Sequence, residues 1–177
     1  MGFAERLAAI NQANDSLLCV GLDIDTGRLP AHLRAAPGGP AAFADAIVAA
    51  TADLVCAYKP NLAFALAEGL SGLGTLSATV AAIRRRAPAV PIILDAKFGD
   101  IDNTAAQYAR FAFDVLGCDA VTLNPYLGGD SLAPFLERAD RAAFIVCRTS
   151  NPGGADLQAL PVGDEGPLYL AVARRIA

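Results

Sequence analysis

The stretch Leu94-Asp95-Ala96-Lys97-Phe98-Gly99-Asp100-Ile101-Asp102-Asn103-Thr104 decides how the rest of the chain is read. A short apolar run, Pro91–Leu94, leads into it, and a helical pattern over about 103–116 leads out of it. That order places the charges at the C-terminal end of a buried strand. Asp95 and Lys97 stand two apart, so in an extended chain they point to the same side. Asp100 follows in the loop. Burying an unpartnered carboxylate or ammonium is costly, so the cluster is expected to be mutually paired. An Asp/Lys array with no histidine nearby suits delivery of a proton by lysine and the steering of negative charge.

Working outward, four more apolar runs read as strands buried on both faces: Leu17–Leu22, Leu54–Tyr58, Ala120–Leu123 and Ala143–Cys147. Helical patterns lie between them at about 41–51, 75–87, 103–116 and 130–138, and another begins near 165. Alternation of this kind gives parallel strands joined by right-handed crossovers. Each run also ends in polar residues. Asp23 follows the first, Lys59 and Asn61 the second, Asn124 the fourth, and Arg148-Thr149-Ser150-Asn151 the fifth. In parallel α/β folds ligands bind at those C-terminal strand ends. Two architectures remain open: a five-stranded doubly wound sheet, or five of the eight units of a (β/α)8 barrel, which typically takes about 250 residues. Length favours the first. The charged ends favour the second, because only a closed barrel brings all of them to one spot. The expectation is an α/β chain of TIM (β/α)8-barrel type supplying about the first five βα units, with residues 1–177 forming a single domain and no separate second one.

Bulk properties agree with a globular chain. Of the 177 residues 54 % are hydrophobic and 18 % charged, which excludes a disordered polymer. A net charge of −4 and a pI near 4.9 give no reason to expect a nucleic-acid or membrane surface. The one basic run, Arg84-Arg85-Arg86, reads as a solvated helix end. Cys19, Cys56 and Cys147 sit in apolar runs and Cys118 in the turn Gly117-Cys118-Asp119, with no metal-ligand spacing. Free thiols point to a reducing cytoplasm. The N-terminal fifteen residues form an amphipathic helical pattern without the apolar centre of a signal peptide. The helix near Ala41–Ala50 carries Asp45 and is too short to span a bilayer. Gly72-Leu73-Gly74 lacks the rest of a dinucleotide fingerprint, and the other glycine pairs read as turns. His32 is expected to be exposed, and Tyr126 to pack a loop.

The Asp95–Thr104 stretch is similar to the signature of the orotidine 5′-phosphate decarboxylase family: Asp-x-Lys-x-x-Asp-Ile, with a Thr three residues on. Four further segments resemble that family in the same order: Val20–Asp23, Lys59-Pro60-Asn61 with Ala63-Phe64, Val121–Gly128 (VTLNPYLG) and Thr149–Gly153 (TSNPG). The resemblance implies a (β/α)8 barrel that acts as a homodimer without cofactor or metal. It implies decarboxylation of orotidine 5′-monophosphate to UMP in pyrimidine synthesis. Lys59, Asp95, Lys97 and Asp100 would form an alternating Lys-Asp-Lys-Asp array, with Asp100, Ile101 and Thr104 reaching the partner's site. Lys97 would protonate the carbanion and Asp95 would lie beside the departing carboxylate. Asp23, Lys59, Asp100 and Thr104 would hold the ribose hydroxyls, Ser150 the pyrimidine edge, and Asn124 would join the substrate-binding set. Phe98 and Asp102 stand where the longer bacterial form of the family usually has Arg and Gly. The sequence ends at Ala177, before the segments in which the family carries its phosphate grip. A non-catalytic fragment is therefore one rival reading. A related sugar-phosphate decarboxylase or synthase using magnesium is another. A third is a Schiff-base aldolase, which close carboxylates disfavour by keeping lysine protonated.

Overall fold

The computed structural model describes residues 1–177. Its strands are β1 (Cys19–Leu22), β2 (Ala57–Pro60), β3 (Ile93–Phe98), β4 (Ala120–Leu123) and β5 (Ala142–Ile145). All neighbouring pairs are parallel. β1 aligns with β2 from Cys19↔Ala57 to Leu22↔Pro60, and β4 with β5 from Ala120↔Ala142 to Leu123↔Ile145. β2 meets β3 through the bridges Tyr58↔Ile92 and Asn61↔Asp95. The spatial order therefore follows the chain order. A doubly wound sheet reverses direction at a switch point; this one never does, and it is an arc of a (β/α)8 barrel.

The helices are α1 (Phe3–Ala13), α2 (Ala31–Arg34), α3 (Gly39–Thr51), α4 (Leu62–Ala67), α5 (Gly69–Arg86), α6 (Asp102–Arg110), α7 (Gly129–Leu136), α8 (Ala155–Gln158) and α9 (Leu168–Ile176). A π-helical turn at Phe111–Val115 prolongs α6. The apolar stripes of these helices and the strands form one cluster of 28 buried residues, with Tyr58, Phe113, Ile83, Ile92 and Leu94 among its largest fully buried members. Close approach governs the α4–α5 corner: a Cβ on Gly72 would stand 2.1 Å from the Ala65 carbonyl oxygen. Gly72 therefore has no room for a side chain there, and the helix begins at Gly69 and not near 75, despite the poor helix propensity of three glycines.

At the N-terminal ends of the strands the sequence reading needs correction. Arg84–Arg86 is not a merely solvated helix end. Arg85 and Arg86 pair with Asp45 of α3, and Arg84 reaches the buried Asp119. Asp119, only 1 % exposed, accepts from Arg6 of α1 (2.7 Å), Arg84 of α5 (2.8 Å), Arg141 before β5 (3.3 Å) and the Ile92 backbone N–H (2.8 Å). Burial by itself raises this carboxyl; the Ile92 N–H and the arginines outweigh it and hold it below the ordinary value. One carboxylate thus ties α1 and α5 to the starts of β3, β4 and β5. Beside it Cys118 is fully buried and its thiol is pushed up to about 12, chiefly by burial, whereas Cys19 in β1 is exposed. The turn cysteine, not the strand cysteine, is the better buried of the two.

No helix is long and apolar enough to cross a membrane. His32 is exposed, as expected, though within the short α2. Tyr126 departs from expectation: it is 80 % exposed and packs no loop.

Candidate functional site

Three strand ends build the site. Lys59 lies within β2 and not beyond it, because the strand extends through Pro60 instead of stopping at Tyr58. Asp95 and Lys97 lie within β3, which runs on to Phe98 instead of ending at Leu94. The Asp95 carboxylate sits between the two ammonium groups, with Lys59 Nζ 2.7 Å from Oδ2 and Lys97 Nζ 2.6 Å from Oδ1. Asp95 is 8 % exposed. Burial by itself raises its carboxyl; hydrogen bonds from Lys59 and Lys97, the Lys59 charge and a bond from Thr122 reverse that and leave it below the usual carboxylate range.

Lys97 reaches Asp95 by a route the sequence did not indicate. β3 is not extended there: Leu94 pairs with Val121 and Phe98 with Leu123, so Asp95, Ala96 and Lys97 together oppose Thr122 alone. Lys97 itself has φ +50°, in the left-handed region. For a residue with a Cβ that conformation costs about 1–2 kcal/mol. The side chains of Asp95 and Lys97 therefore meet across a bulge, not along a straight pleat. Gly99 packs closely just beyond, where a Cβ would stand 3.2 Å from Asn124 Cβ.

Asp23, on the loop after β1, lies at the same mouth, its carboxylate 3.5 Å from Asn61 Nδ2. That separation is at the outer limit of a hydrogen bond. Asn61 Oδ1 caps α4 through the Ala63 N–H, which fixes the loop after β2. Asn124 Oδ1 likewise accepts from the Tyr126 N–H and shapes the loop after β4. Lys97, Asn124, Tyr126, Cys147, Thr149 and Gln158 line a cavity of about 430 Å³ opening beside β5. A smaller cavity of about 250 Å³, between α3, α5 and the ends of β1 and β2, contains none of the charged cluster.

Asp100, Ile101 and Thr104 do not join the cluster. The Asp100 carboxylate accepts from the Ile101 N–H, Ile101 is half exposed, and Thr104 lies exposed in the first turn of α6. Ser150 is exposed on the loop after β5. That loop is clamped by Gln158 of α8, whose Oε1 accepts from the Thr149 N–H at 2.9 Å and whose Nε2 donates to Thr149 Oγ1 at 2.9 Å. A Cβ on Gly154 would collide with this clamp, standing 2.6 Å from Thr149 Oγ1. Gln158 did not stand out in the sequence, and Thr122 did so only as part of the polar end of the fourth strand. The one available signal for Thr122 is a hydroxyl inside the otherwise apolar Ala120–Leu123.

The two departures from the signature have local causes. Phe98 stacks on Tyr108 with centroids 4.3 Å apart and an interplanar angle of 12°, so an aromatic ring packs where Arg is usual. Asp102 has φ +46°, the region in which glycine is at ease and Asp is tolerated.

A parallel β/α arc with a lysine–aspartate–lysine cluster at the C-terminal mouth of its strands defines a (β/α)8-barrel protein equipped to hold and stabilise an anion. Comparison with known proteins narrows that class. The chain belongs to the orotidine 5′-phosphate decarboxylase / HUMPS family, which it matches over residues 16–177. It is 52 % identical over 175 residues to the orotidine 5′-phosphate decarboxylase of Herpetosiphon aurantiacus, covering 99 % of this chain and 64 % of that protein. It is 54 % identical over 173 residues to the protein of that name from Roseiflexus sp., covering 98 % and 62 %. The solved structure of Leishmania donovani OMP decarboxylase superposes with a TM-score of 0.85 at 39 % identity, covering 99 % of this chain and 64 % of that one. The chain thus spans just under two thirds of the length of these three relatives.

Proposed function

We propose that this chain carries the charged half of an orotidine 5′-monophosphate decarboxylase site. The observation that bears most on this is Asp95 held between Lys59 and Lys97 at a barrel mouth. In the reaction the C6–carboxylate bond breaks, carbon dioxide leaves, and the electron pair stays on C6. That pair has no π-system to enter, so a fixed ammonium beside C6 is the most effective stabiliser. Lys97 then gives its proton to C6, yielding UMP, and regains one from solvent. Asp95 orients both lysines through its two carboxylate oxygens, and lies beside the departing carboxylate.

In this reading Asp23, Lys59, Asp100 and Thr104 hold the ribose, Ser150 meets the pyrimidine edge, and Asn124 joins the substrate-binding set. Asp100, Ile101 and Thr104 serve the neighbouring subunit of a homodimer. The exposure of Ile101 and Thr104 suits that assignment. Residues 1–177 act as one domain, and the cytoplasm is the compartment. The related sugar-phosphate decarboxylase or synthase is less well supported, because the relatives at about half identity carry the decarboxylase name.

The test is carbon dioxide release from orotidine 5′-monophosphate. It is measured with this chain and with the chain joined to the unmatched remainder of the Herpetosiphon relative. Turnover in the joined protein supports the reading. No turnover in a folded joined protein that binds UMP overturns it.

A further inference from the structure

We infer that Thr122 is the positioning residue that sets the geometry of Lys97, an inference that rests on the decarboxylase reading above. Its hydroxyl does three things at once. It accepts from the Ala96 N–H at 3.0 Å and from the Lys97 N–H at 2.9 Å, and it donates to Asp95 Oδ1 at 3.0 Å. A hydroxyl has one proton and two lone pairs, so its capacity is fully used. No carboxamide, thiol or alkyl group of the same size reproduces that combination.

The bulge explains why such a residue is needed. With three residues of β3 opposite one of β4, the ordinary ladder cannot supply acceptors for the N–H groups of Ala96 and Lys97. The Thr122 hydroxyl replaces the missing carbonyls. It thereby holds Lys97 in its left-handed conformation, which an isolated lysine avoids. The same proton tethers Asp95, so both partners of the Lys97–Asp95 contact are referred to one atom of β4. Thr122 acts through Lys97 and Asp95, the groups its hydroxyl holds.

The variants are Thr122→Val, which keeps the shape and removes the hydroxyl, and Thr122→Ser, which keeps the hydroxyl. In this chain, NMR follows the Ala96 and Lys97 amide exchange and the Asp95 carboxyl titration. In the joined full-length protein, kcat and KM are followed against pH. Thr122→Val is expected to speed exchange of the two amides and to raise the Asp95 titration point. It should lower kcat on the order of tenfold to a hundredfold with KM changed much less, and move the acid limb of the kcat profile to higher pH. Thr122→Ser is expected to restore all four. Val behaving as the parent in amide exchange and Asp95 titration, or Ser failing to rescue a defective Val variant, overturns the inference. A parent without turnover counts against the decarboxylase reading instead, and the NMR comparison still decides the role of Thr122.

Discussion

Asp119 offers the sharpest stability prediction. Replacing it by Ala leaves three guanidinium groups converging on a site that is 1 % exposed, and leaves the Ile92 N–H without its acceptor. The three arginine side chains are 23–32 % exposed, so they recover part of their hydration. Breaking a buried ion pair on one side costs about 3–5 kcal/mol, and the partial exposure argues for the lower half of that range. For a chain of this size each kcal/mol shifts Tm by about 2–4 °C, so a fall of roughly 6–15 °C is expected. Asp119→Asn keeps one acceptor oxygen but loses the charge, and should cost at least about 2 kcal/mol. The pH dependence has a definite sign. A carboxyl held below its unfolded value contributes stability that is fully present above the unfolded value of about 3.9 and is lost as pH falls through the folded one. The gap between parent and Asp119→Asn should therefore be full at pH 7 and shrink below pH 4. Circular-dichroism melts at pH 7 and at pH 3 measure it. An Ala variant within about 1 kcal/mol of the parent at pH 7 would show that the arginines do not need this carboxylate.

Other outcomes follow from particular contacts. Asp102→Val should lose about 1–2 kcal/mol in denaturant unfolding because a β-branched residue resists φ +46°, whereas Asp102→Gly should stay within about 1 kcal/mol of the parent. Gln158→Ala should free the Thr149 loop, raising KM for orotidine 5′-monophosphate several-fold in the joined full-length protein while kcat moves less. Mixed Asp100→Ala and Lys97→Ala subunits should recover part of the parent activity if each site draws on two chains. Heterodimers that form and show none would rule out a shared site.

The arc and its direction were legible because each strand is a short apolar run and each crossover a periodic one. The strand ends were less so. Tyr58-Lys59-Pro60 and Asp95–Phe98 read as exits from strands, yet belong to them, because a charge paired across the barrel mouth does not end the ladder. Two-residue spacing correctly joined Asp95 to Lys97 but for an incomplete reason. The contact depends on a bulge and a left-handed lysine, which local sequence does not announce. The roles of Thr122, Gln158 and Asp119 stayed hidden because each depends on partners at least nine residues distant. Single polar residues among apolar ones show that a partner must exist, not which one.

Lys97 carries the proposed chemistry, and one comparison tests it directly. In the joined full-length protein, Lys97→Ala should keep the parent's melting temperature to within a few degrees and still bind UMP. Its carbon dioxide release from orotidine 5′-monophosphate should fall by at least about a thousandfold, since both the proton donor and the charge facing C6 are gone. Release within tenfold of the parent, from a variant shown to be folded, would contradict the assignment of Lys97 as the group that stabilises and protonates the carbanion.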